Sequence, residues 1–142
     1  MEIIIKEPEE NERIIIEVDQ VTAKVLRAIQ LLTDPDDLTV FKDNQIFLLA
    51  VTDVFYVDTI DAKTYVYTES DVYSSKLKLM EIEGILEKSH FLRISKQTLV
   101  NLKSIKSVQP SGGGRFKAEL LNGDRVIISR QYVPKIKEVY GI

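Results

Sequence analysis

Residues 91–108 read FLRISKQTLVNLKSIKSV. The stretch holds four cations (Arg93, Lys96, Lys103 and Lys106), no acid, and aliphatic residues interleaved with Ser, Thr, Asn and Gln. The chain around it is acidic, with a net charge of −3 over 142 residues. That total conceals a segregation of charge. Residues 1–36 carry 9 acids and 4 bases, residues 37–87 carry 10 and 4, and residues 88–142 carry 3 and 11. The last third is therefore at +8 inside an acidic whole. Salt screens charges beyond about 8–10 Å, so the local field decides what binds locally. A polyanion fits that third. A basic face that pairs with the acidic parts of the chain fits it as well.

Working outward, RISKQTLVN is expected to form a compact helical turn and KSIKSV a strand. The run Ser111 to Gly114 is expected to turn the chain into the strand RFKAELL. Asn122-Gly123 is a tight hairpin signal before the returning strand RVIIS. Pro134 suits the first turn of a short C-terminal helix, PKIKEVYGI. Upstream, LTVFK, QIFLLAV, VFYVDT and KTYVYT are short β-rich runs. Asp43-Asn44 and Ile60-Asp61-Ala62 separate them as turns. KTYVYT alternates, with Thr64, Val66 and Thr68 on one side and Lys63, Tyr65 and Tyr67 on the other. Residues Tyr73 to Leu77 suggest another strand. Leu79, Ile82 and Leu86 share a helical face in LKLMEIEGILEK. The expectation is a mainly β, antiparallel domain with two short helices over residues 37–142.

Residues 1–36 form a separate acidic arm. Residues 3–5 and 14–18 read as strands around the turn KEPEENE. Val21, Val25, Ile29 and Leu32 then recur on one helical face, with Asp19 as N-cap and an end near Thr33 before Pro35. This strand–strand–helix unit is too small to fold alone. It is expected to dock on the β domain or to mediate dimerisation.

Composition narrows the chemistry. The chain has no Cys and one His. Disulfides, thiolate zinc sites and Cys nucleophiles are excluded together. His90 has no nucleophile elbow near it and reads as a loop residue. Glu81 and Glu83 stand two apart on a helix and do not share a face. SGGGR lacks the Gly-Lys-Ser/Thr ending of a phosphate loop and lies between two β runs. Neither a catalytic constellation nor a metal or organic cofactor site is legible, so the chain reads as non-enzymatic. The start, MEIIIKEPEENE, is not a signal peptide. No apolar run approaches the roughly 18 residues of a spanning helix. The expected location is the cytoplasm.

RISKQT and ISRQYVPK each set cations beside Ser, Gln, Thr or Tyr. Arg and Lys neutralise phosphates, and Ser, Thr and Gln donate to phosphate oxygens. Arg, Lys and Gln also read base edges in the major groove. No pair of adjacent helices makes a helix-turn-helix. Tyr65, Tyr67 and Tyr73 would suit RNA stacking but lie in the acidic middle third. DNA contact through loops or strands is favoured. An RNA-binding β domain and a protein-interaction adaptor with a basic face remain as alternatives.

These motifs resemble the LytTR DNA-binding domain of bacterial transcription regulators. That family shows a Phe-x-Arg-Ile run ending in Val-Asn, then an Asn-Gly hairpin and a Ser-Arg-Arg-Tyr signature. Here they are Phe91, Arg93, Ile94, Ser95, Val100, Asn101, Asn122, Gly123, Ser129, Arg130 and Tyr132. The resemblance covers about residues 38–142. It implies three small antiparallel sheets in a row, with loops rather than a recognition helix entering successive major grooves. It also implies base-reading roles for Lys63, Lys96 and Gln131, and phosphate contacts by Arg93, Gln97, Arg115 and Arg130. Asn101, Asn122 and Gly123 are implied to be structural. Gln131 stands where the family often has Arg, which keeps adenine recognition and loses a phosphate-reaching charge. Lys63 stands where some members have His. The 36-residue arm leaves no room for a receiver domain. The layout is similar to small stand-alone regulators, and this chain is expected to bind as two copies to two neighbouring short repeats. Such regulators are often encoded beside a restraining membrane protein.

Overall fold

The computed structural model describes residues 17–22, 24, 25, 28, 37–86 and 89–142. The first hairpin joins β1 (Asp37–Lys42) to β2 (Gln45–Ala50) through Asp43 and Asn44, both at positive φ. Two positive φ values are what a two-residue hairpin matched to strand twist needs. The second joins β3 (Tyr56–Ile60) to β4 (Lys63–Tyr67) the same way, through Asp61 and Ala62. Then follow β5 (Val72–Ser75), helix α1 (Leu79–Ile85), β6 (Phe91–Arg93) and β7 (Thr98–Asn101). A second sheet is built from β8 (Ile105–Gly112), β9 (Arg115–Leu120) and β10 (Arg125–Ile128). Helix α2 (Val133–Tyr140) closes the chain.

The architecture is mainly β with antiparallel pairing throughout, as expected. The strands form one seven-stranded sheet, ordered β2-β1-β5-β4-β3-β7-β6, and one three-stranded sheet, ordered β10-β9-β8. Two hydrogen-bonded sheets thus replace the three expected. The reason lies at the junction of β1 and β5, which is paired only at Phe41 and Ser74. That single bridge joins the first hairpin to the five strands behind it.

RISKQTLVN is not a helical turn. It is the end of β6, a loop at Ser95–Gln97, and β7. Pairing of β7 with β3 on one side and β6 on the other overrides any local helical preference. The Asn122-Gly123 hairpin spans three residues, Leu121–Gly123, between paired Leu120 and Asp124. Gly123 sits at φ 91, the left-handed position such a loop requires.

Period-2 alternation along β7 separates two cores. Leu99 packs in the first, with Leu38, Val40, Val57 and Val66 under Leu79, Ile82 and Leu86 of α1. Val100 packs in the second, with Ile94, Leu120, Ile128, Val133 and Ile136. β7 is therefore the wall shared by both cores. His90 is exposed in the turn before β6.

Of the arm, the described residues show one contact. Val25 is 4% exposed and packs on Ile46 beside Val18, Phe41 and Leu48. Val21 is 39% exposed and does not share that burial. Thr22, not Asp19, caps the turn: its Oγ1 accepts from the Val25 N–H at 3.3 Å. Glu17 and Val18 are not in a strand. The expected strand at 3–5, residues 14–16, Ile29, Leu32 and the helix end lie outside the described residues. Among the described residues no helix is long and apolar enough to cross a membrane.

Candidate nucleic-acid interface

Four loops come together at one end of the two sheets; backbone hydrogen bonds order the first three, and side-chain packing places the fourth. The first is the β3–β4 turn, which presents Lys63. The Thr59 N–H donates to Gln97 O at 2.9 Å, fixing this turn to the second loop, Ser95–Gln97. The Ser129 N–H donates to Ile94 O at 2.8 Å, fixing the second loop to the third, the 3-10 turn Arg130–Tyr132. The fourth is the Gly112–Arg115 hairpin. A Cβ on Gly114 would lie 2.8 Å from Arg130 Cδ, so the Arg130 stem lies against that backbone. Glycine is needed there both for this approach and for its φ of 77.

Lys63, Lys96, Gln97, Arg115, Arg130 and Gln131 are all exposed along this row. Residues from positions 63 to 131 are thus brought onto one edge. Among the described residues, none of Lys63, Lys96, Arg115 and Arg130 pairs with a carboxylate. The row combines uncompensated cations with amides, the mix that meets phosphate oxygens and base edges.

Arg93 differs from the other six candidates. It is half-buried and already committed. Its Nε and Nη2 donate to the two oxygens of Glu83 at 3.3 and 3.1 Å, and Nη1 donates to Lys96 O at 2.8 Å. Glu83, read from the chain only as a helix carboxylate that shares no face with Glu81, is the residue missed. Its partner stands ten positions downstream across a turn, a separation that no helical or strand period picks out. Lys103 and Lys106 also leave the row. β7 and β8 carry them past Asn101 to the opposite end, where the Leu121 N–H donates to Ser104 O at 2.8 Å.

The structural asparagines are placed as implied. Asn101 is buried; its Nδ2 donates to Val54 O at 2.9 Å and its Oδ1 accepts from the Lys103 N–H at 3.0 Å. Asn122 donates to Glu69 O at 3.1 Å and so ties the β9–β10 hairpin to the larger sheet. Beside it, Tyr56 donates to Asp124 at 3.3 Å and stacks on Tyr67 with ring centres 4.2 Å apart. Burial, then the Asp124 carboxylate, raises the Tyr56 phenol well above its usual range. Both tyrosines are half-buried and engaged with groups of the protein itself.

The model of the LytTr DNA-binding domain matches residues 44–141, which include all four loops. The chain belongs to this family. A solved LytTr DNA-binding domain from a Bacillus cereus response regulator superposes with a TM-score of 0.71 at 28% identity. The match covers 75% of this chain and 98% of that domain. Among curated relatives, the transcriptional regulatory protein YpdB of Escherichia coli is 26% identical over 121 residues, 84% of this chain and 49% of that protein. The sensory transduction protein LytT of Enterococcus faecalis is 27% identical over 100 residues, 70% and 41% of the two chains. An uncharacterized HTH-type transcriptional regulator of Staphylococcus aureus is 29% identical over 118 residues, 83% and 80%. This chain therefore spans half or less of the first two relatives and most of the third. The solved LytTr domain shares this β architecture, which places loops and no helix-turn-helix in the row among the described residues.

Proposed function

We propose that the chain is a sequence-specific DNA-binding transcription regulator whose row of loops enters the major groove of duplex DNA. The observation that carries this is the line of four loops, three joined by backbone hydrogen bonds and the fourth packed on the Arg130 stem, with amides and with cations that pair with no carboxylate among the described residues on one edge. Membership of the LytTr family and relatives named as transcriptional regulators support it. Lys63, Lys96 and Gln131 take the base-reading roles. Gln97, Arg115 and Arg130 take the phosphates. Two copies bind two neighbouring short repeats, and bending of the DNA would let both rows engage.

Fluorescence anisotropy tests this on duplex DNA from upstream of the chain's own gene, against a scrambled duplex of equal length, at low and near-physiological salt. A preference for the native duplex that persists at the higher salt is expected. Specific binding typically exceeds non-specific binding by about 10³-fold or more. Equal, salt-erased binding, repeated with a duplex pool of random sequence, would refute sequence reading and favour an adaptor. Preference for single-stranded RNA would favour an RNA-binding role.

A further inference from the structure

We propose that Glu83 and Arg93 form a strut that holds the Lys96 loop in its reading shape, so that Arg93 is a positioning residue and not a phosphate contact. This rests on the DNA-reading role proposed above. The loop Ser95–Gln97 is closed at its base by the Ile94 N–H, which donates to Thr98 O at 3.0 Å. Three carbonyls in and beside it are tied to three separate elements. Ile94 O accepts from Ser129, Gln97 O from Thr59, and Lys96 O from the Arg93 guanidinium. Only the last tie is made by a side chain. It fixes the peptide of the residue whose side chain is aimed at the DNA.

The guanidinium is itself fixed. Glu83 grips it with both oxygens, and a two-bond fork sets orientation as well as distance. Glu83 follows buried Ile82 on α1, whose Leu79, Ile82 and Leu86 are seated in the first core. The strut therefore carries the position of a packed helix to an exposed loop. Three donor contacts of Arg93 are used within the protein, and a carboxylate lies beside it. Both features disfavour a phosphate there. Ordering the loop before DNA arrives reduces the entropy lost on binding.

The test uses the full chain as wild type, Glu83→Ala, Arg93→Lys and Lys96→Ala. The probes are a duplex recovered by the wild type from a random-sequence pool and a scrambled duplex of the same length. Glu83→Ala sits at a half-buried helical position outside both cores and keeps a good helix former, so folding is retained. It removes a negative charge near DNA, yet the strut predicts about a tenfold loss of selectivity, the scale of one base contact. Arg93→Lys keeps the charge but cannot make the fork and the carbonyl bond together. It is expected to lose selectivity similarly, with an unchanged salt slope. In the free chain, amide exchange at Thr59 and Ser129 should quicken in both variants. Selectivity kept by Arg93→Lys, or tighter and equally selective binding by Glu83→Ala, would overturn the strut. Should the wild type itself show no sequence preference, the DNA reading fails separately. The strut is then decided by exchange alone, and unchanged protection of Thr59 and Ser129 in Glu83→Ala would sink it.

Discussion

At the residue scale, exposed cations with similar chemistry have different expected roles. Lys96 stands at the tip of a tied loop, so Lys96→Ala should relax sequence preference by about 1–3 kcal/mol of discrimination. Arg130 lies along the Gly114 backbone, between the second and fourth loops of the row. Arg130→Ala should weaken all duplexes alike and reduce the slope of log K against log salt by about 1. Anisotropy across a salt series on matched and scrambled duplexes separates the two patterns. Asn101 predicts a different outcome. Its removal strands the Val54 carbonyl in a buried site and frees the half-buried Lys103 N–H. Asn101→Ala should cost about 2–3 kcal/mol in urea unfolding, whatever it does to DNA. The motif residues were legible one by one, because Arg, Lys, Gln and Asn each have few chemical uses. The partner of Arg93 was not, since only the packing of α1 over β3 and β7 brings Glu83 to it.

At the element scale, β7 is four residues long and serves two cores. Leu99→Ala and Val100→Ala should each destabilise the domain by about 2–4 kcal/mol, through different cavities. Urea midpoints give these losses directly. Helix α1 carries the opposite opportunity. A Cβ on Gly84 would meet nothing within 4 Å. Gly84→Ala should therefore raise stability by about 1 kcal/mol, the helix propensity difference. Alternation in KTYVYT and the helical spacing of Leu79, Ile82 and Leu86 announced their elements, because each run is long enough to show its period. RISKQTLVN did not. The loop leaves it the last residue of β6 and the four of β7, and pieces that short display no period.

At the scale of the whole molecule, the arm touches the β domain where Val25 covers Ile46. We propose docking within one chain as the arm's role. Removing residues 1–36 should then lower the melting temperature by uncovering Phe41, Ile46 and Leu48, without changing mass in light scattering. A halved mass would assign the arm to dimerisation instead, and unchanged mass and stability would refute both. By itself the amino-acid sequence determined the β class, most of the strand boundaries, the basic third and the motifs of the family. Those features are local: side-chain period, turn chemistry and charge are all set by neighbours in the chain. Only the tertiary structure decided that Lys63, Lys96, Arg115 and Arg130 lie on one edge while Lys103 and Lys106 lie at the other end. It also decided that Arg93 faces Glu83, and that two sheets stand where three were expected. Each of these depends on which strands pair and in what register, and pairing is selected by burial of the two cores rather than by any single run of residues.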